Sequence, residues 1–127
     1  MQLARFEPQE KGFKQLGQWQ VFGGERVFAM GPKLVSTGAG VMLLYASEQK
    51  GVWDLHVVRC GPEGPEKPMR VTGDAAADIN PAGAWHNGTL WMAWESNRDG
   101  LHEVYAASLR DGKLSPAELI SPADTSA

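Results

Sequence analysis

"ADINPAGAWHNGTLWMAWESNRDGLHEVYAASL", residues 77–109, sets turn signals between three short apolar runs. His86-Asn87-Gly88-Thr89 carries the first signal, because Asn-Gly supplies the two positive-φ residues that a tight hairpin needs. Ser96-Asn97-Arg98-Asp99-Gly100 carries the second, and Arg110-Asp111-Gly112-Lys113 marks a third turn beyond. The spacing predicts strands over about 80–85, 90–95, 101–108 and 117–121.

The same unit recurs upstream. Pro32 falls on Pro81 at an offset of 49 residues, where Ser47 also meets Ser96, Gly51 meets Gly100 and Tyr45 meets Trp94. Asp54 lies over Glu103 and Leu55 over Val104. Residues 68–77 match 116–127 once one residue is inserted. The first unit then predicts strands over about 33–37, 41–46, 52–59 and 68–72. "VMLLYA" and "LWMAW" are apolar on both sides of the pleat, as strands covered on both faces should be.

An antiparallel four-stranded unit of this length, greasy on both faces, is the pattern of a β-propeller blade. Residues 78–109 resemble the TolB-type, WD-repeat-like propeller repeat, and the resemblance extends over about residues 19 to 127. The matching positions are Pro81 in the innermost strand, the Asn87-Gly88 turn, Leu90 to Trp94, Ser96-Asn97-Arg98-Asp99-Gly100, and Glu103-Val104-Tyr105. The first unit departs from that pattern at Glu48-Gln49-Lys50 and puts His56 where Tyr is expected. The resemblance implies an all-β fold of two four-stranded antiparallel blades plus an N-terminal strand. The expected organisation is an N-terminal segment 1–25, with 17–25 the outer strand of a preceding or partner blade, then one blade over 26–74 and another over 75–127.

Composition bounds the function. The 127 residues are 43% apolar, which suits one packed domain, and the 15 glycines and 8 prolines punctuate short strands. A net charge of −3 with both signs interspersed gives no case for nucleic acid or an anionic membrane. The single Cys60, placed at the opening of a loop, excludes an internal disulfide and a multi-cysteine zinc site. No signal-like or membrane-spanning stretch occurs, so cytoplasmic residence is the default expectation, with export if the initiating Met replaces a removed leader.

Catalytic and metal chemistry finds no constellation here, and no cofactor is expected. "ESNRDG" (95–100) begins like a calcium loop, but Ala106 stands where the bidentate Glu belongs. "SEQKGVWD" (47–54) and "SNRDGLHE" (96–103) both miss the spacing of a sialidase Asp-box. His56, His86 and His102 lack ligand spacing and read as surface or inter-blade residues. Tyr45 and Tyr105 read as packing, and Cys60 has no neighbouring cation to activate its thiol.

What remains is recognition at the rim. The loops between blades and between second and third strands carry Gln49, Asp74, Asp78, Asn97, Arg98 and Asp99, with Glu25 and Arg26 upstream. Trp53 and Trp85 are candidates to stack on a sugar ring or an aromatic partner. The expected function is a non-catalytic binding module for carbohydrate or protein. Two blades cannot close a propeller and would leave two apolar faces in water. Identical copies therefore complete a ring, three chains giving about six blades. The alternatives are the leading piece of a longer propeller serving as a protein scaffold, or of a glycosidase-type propeller enzyme.

Overall fold

The computed structural model describes residues 1–21, 28–73, 76–98 and 100–121. Every element in them is a strand. β1 (Gln2–Pro8) and β2 (Phe13–Gln20) form a hairpin. The first large sheet contains β3 (Phe28–Ser36), β4 (Val41–Gln49), β5 (Val52–Gly61), β6 (Gly64–Pro65) and β7 (Met69–Arg70). The second contains β8 (Asp78–His86), β9 (Thr89–Ser96), β10 (Glu103–Arg110), β11 (Lys113–Leu114) and β12 (Glu118–Leu119). In both sheets each strand runs antiparallel to the one before it, and the outermost strand is two short pieces laid along the third. The molecule is thus all-β with antiparallel sheets. The eight strands expected of the two units all form, with ends displaced by a few residues.

The two sheets repeat each other at the level of single hydrogen bonds. A β-bulge interrupts β3 between Met30 and Lys33 and interrupts β8 between Ile79 and Ala82, 49 residues on. Gly31 and Asn80, inside these bulges, have φ of 64° and 55°. Leu55 N–H donates to Thr72 Oγ1 at 3.0 Å, and Val104 N–H donates to Ser121 Oγ at 3.1 Å, again 49 residues later. His56 pairs with Arg70 as Tyr105 pairs with Leu119. The register therefore holds through the last strand without the inserted residue that aligning Pro68 with Pro116 demands. Main-chain pairing sets the equivalence there, and proline is tolerated at either place because an edge strand can spare its N–H.

Each sheet has a front and a back. Front positions are Leu43, Tyr45 and Val58 in the first sheet and Met92, Trp94, Tyr105 and Leu109 in the second. Back positions are Met42, Leu44, Leu55 and Val57 in the first and Trp91, Ala93, Val104 and Ala106 in the second; the cross-strand pairs fix these sets. The front of the second sheet packs on the back of the first, and together they form the main core. A second core joins the front of the first sheet to the hairpin through Val21, with Met1 and Leu3 packed against it. β4 is consequently buried on both faces from Met42 to Ser47. β9 is not: Met92 and Trp94 are 2% exposed but Trp91 is 54% exposed.

Three local findings extend the sequence reading. Residues 2–8 form a strand that no apolar alternation announces, because the hairpin is polar and largely exposed. Residues 17–20 belong to its second strand, while 22–25 lie outside the described residues. Cys60 lies within β5, not in a loop; it is buried, and burial followed by the charge of Glu66 raises its thiol pKa.

The sheets approach most closely at β8. A Cβ at Gly83 would lie 2.6 Å from Leu44 Cδ1 and 3.0 Å from Val35 Cγ2, so glycine is what lets β8 settle onto the first sheet. Gly83→Leu should therefore lower the unfolding free energy by about 1–3 kcal/mol through overpacking. A shift of the urea midpoint to lower concentration, at unchanged slope, is the expected reading.

Candidate functional site

Polar side chains gather at the end of the sheets that carries the β4–β5 turn and the link between the two sheets. On the front of the first sheet they line a cleft of about 440 Å³ whose walls include Ser47, Gln49, Lys50, Asp54, His56 and Arg70. Strand geometry assembles it. Period-two alternation puts Ser47 and Gln49 on one face of β4, and Asp54 and His56 on the same face of β5. The return strand brings Arg70 opposite His56, so that Thr72 falls beside Asp54.

Asp54 is held by two partners. The Arg70 guanidinium ion-pairs with Asp54 Oδ2, and Thr72 Oγ1 donates to Asp54 Oδ1 at 3.1 Å. Arg70 Nε also donates to Thr72 O at 2.9 Å, which closes a compact ring of contacts around the strand end. The carboxylate is buried while the Arg70 side chain is 57% exposed, so the cation is the half of the pair that faces solvent. His56 stacks on Tyr45 with ring centroids 5.4 Å apart. Its Nδ1 is buried and has no hydrogen bond of ordinary geometry among the described residues, although the Asp54 backbone lies close enough to favour the protonated ring. Desolvation lowers the His56 pKa, Arg70 adds to the lowering, and Asp54 opposes it. Around neutral pH the ring is uncharged.

The arrangement offers cationic donors at Arg70 and Lys50 beside amide and hydroxyl groups at Gln49 and Ser47. Such a lining can recognise hydroxyl, amide or carboxylate groups. Among the described residues no cluster of three or more His, Cys, Asp or Glu is close enough to hold a metal ion.

Of the residues expected from the sequence, Gln49 lines this cleft. Trp53 lies on the other face of β5 and packs against the main core. Asp78 is fully buried in the second sheet, where Trp94 Nε1 donates to its Oδ1 at 3.2 Å and Arg98 Nη2 lies 3.4 Å away. Arg98 is a clasp: its Nε donates to Ser96 Oγ at 3.0 Å and its guanidinium lies 4.0 Å over the Tyr105 ring. Asn97 is exposed, and its Oδ1 accepts from Ala77 N–H at 2.8 Å. Trp85 packs against the main core near the Asn87-Gly88 turn, at the far end of β8 from Asp78. Seven strand steps put them about 23 Å apart. Asp74 and Asp99 lie outside the described residues.

Asp54, His56, Arg70 and Thr72 were not among the expected ligand residues. Their signal is Asp-x-His on one strand opposite Arg-x-Thr on another, legible only when the pairing across Gly61 to Pro68 is known. No protein-family model, curated protein or solved structure matches the chain at a significant level.

Two outcomes test the cluster. Thr72→Val keeps the shape but strands the Leu55 N–H and one oxygen of Asp54, costing about 1–3 kcal/mol of stability. Thr72→Ser should stay near the parent in denaturant titration, since Ser121 fills that role in the second sheet. For His56, the folded pKa lies below the unfolded value of about 6.5, so the unfolded chain binds the proton first. Its contribution is fully present above the unfolded pKa and is lost as pH falls toward the folded one. Denaturant midpoints between about pH 7 and 5 should fall less steeply for His56→Phe than for the parent; equal slopes would refute this.

Proposed function

We propose that the two sheets are consecutive blades of a β-propeller of the TolB-like type that the residue pattern resembles, and that the chain is a non-catalytic binding module. The observation that carries this reading is the 49-residue repeat of bulge, hydrogen bonds and faces. A unit that stacks front to back on its own copy, with the stack still open at its back, is the building principle of a ring. Copies of the chain close that ring, and the ligand is a carbohydrate or a protein segment. The cleft of Gln49, Lys50, Asp54 and Arg70 supports a polar ligand, because its groups donate and accept while Asp54 is already neutralised by Arg70.

A second reading, the leading piece of a longer propeller acting as a scaffold, draws on the uncovered back of the second sheet around Trp91. Light scattering on the full chain separates the two. Self-closure gives one discrete oligomer, three copies completing about six blades. A monomer at every concentration would remove self-closure and leave the scaffold. On a glycan and peptide array, Arg70→Ala and Gln49→Ala should lose whatever the parent chain captures; retained capture would move the ligand away from this cleft.

A further inference from the structure

The two sheets differ in bulk at equivalent places, and the differences are reciprocal. At the existing interface, Gly83 on the front of the second sheet lies against Leu44 and Val35 on the back of the first. The 49-residue counterparts of Leu44 and Val35 are Ala93 and Ala84, on the open back of the second sheet. The counterpart of Gly83 is Leu34, on the front of the first sheet and 62% exposed. Glycine against two large residues becomes leucine against two small ones, with nearly the same total side-chain volume.

A second exchange has the same sense. Met42 and Trp85 line one cavity between the sheets. Their counterparts are Trp91, 54% exposed on the open back, and Ser36, exposed on the front at β3 where the hairpin does not reach. The large ring has moved to the opposite side of the contact. A third concerns polarity. Ala46, on the back of the first sheet, shares the main core with Trp94 and Tyr105. Its counterpart is Glu95, whose side chain is 45% exposed, and the counterparts of Trp94 and Tyr105 are Tyr45 and His56. The same geometry would carry a carboxylate beside His56 and the exposed Arg70, so in the assembly the polar cleft becomes part of the seam and a ligand held there competes with docking.

We infer that the back of the second sheet docks on the front of the first sheet of a second copy of this chain, head to tail, with Leu34 of one copy seated between Ala84 and Ala93 of the other. This rests on the reading of the sheets as self-closing blades, and it names the contacting faces and their register. It also gives the N-terminal hairpin a role. Leu3, Val21 and Met1 cover the strands β4 and β5 of that front, and Trp19 lies against Gly64 at its outer edge, while Leu34 on β3 is left exposed. The hairpin occupies part of the seat, so a docking copy displaces it. It is a removable cover that opposes assembly until chains meet at sufficient concentration.

Disulfide trapping in the full chain tests this. Leu34→Cys and Ala93→Cys, in a Cys60→Ala background, lie on outward faces with both sheets between them, too far apart to bond within one chain. Mild oxidation of the double variant should give a ladder of covalent multimers on a non-reducing gel. Mixing the two single variants should give a disulfide-linked pair and nothing larger. Phe13→Cys at the exposed hairpin end, paired with Ala93→Cys, is the control and should cross-link weakly. Ala93→Arg should abolish the oligomer, and Trp19→Ala, which loosens the cover, should move assembly to about tenfold lower concentration. An oligomer by light scattering with no Leu34–Ala93 ladder, or with equal cross-linking at Phe13, overturns the docking register while sparing self-closure. A chain that stays monomeric with no ladder overturns both.

Discussion

The structure depends on covering both faces of one sheet. β4 runs Met42 to Ser47 without an exposed residue, its odd and even side chains reaching two different cores. A sheet of that kind cannot stand alone in water, because each face removes apolar area from solvent only when something lies on it. The second sheet covers the back and the hairpin covers the front. The close approach at Gly83, where a backbone lies directly against Leu44 and Val35, fixes how the two large sheets meet.

That constraint also explains why the polar residues differ in fate between the sheets. Ser96, Asp78, Arg98 and Tyr105 occupy the front of the second sheet, where the first sheet encloses them. There the carboxylate, the indole N–H and the guanidinium satisfy one another. Buried polar groups are retained only with such partners. The corresponding end of the first sheet has no sheet in front of it, and its Asp54, Arg70 and His56 line a cleft. The same end of the repeat thus holds an internal clasp in one sheet and a candidate recognition surface in the other, and of these residues only His56 and Tyr105 stand at equivalent positions. The difference is what stands opposite them, not the residue types alone.

The hairpin departs most from the regularity of the rest. Among the described residues its strands pair only with each other, through a register broken by a bulge between Arg5 and Phe6, and it carries Phe6 and Phe13 into solvent. Its hold on the first sheet combines the small core around Val21 with a bond from Arg5 Nη1 to Pro62 O at 3.4 Å. A two-stranded element with so little of its own core is the part of the molecule most ready to open locally.

The sequence by itself determined the strands, the turns and their 49-residue recurrence, because period-two apolar runs and Asn-Gly or Ser-Asn-Arg-Asp-Gly turns are local signals. It also indicated that the strands "VMLLYA" and "LWMAW" want cover on both sides, since apolarity on both faces of a pleat is visible in one dimension. β1 escaped it because Gln2 to Pro8 has no stripe to read. Tertiary structure alone decided which faces meet. Asp78 became a buried hydrogen-bond acceptor, Trp85 was carried to the end opposite Asn97, and Asp54 met Arg70 across the seven residues between β5 and β7. Those outcomes hang on strand register and on sheet-to-sheet placement, and long-range pairing leaves no mark on the residues until the chain has closed on itself.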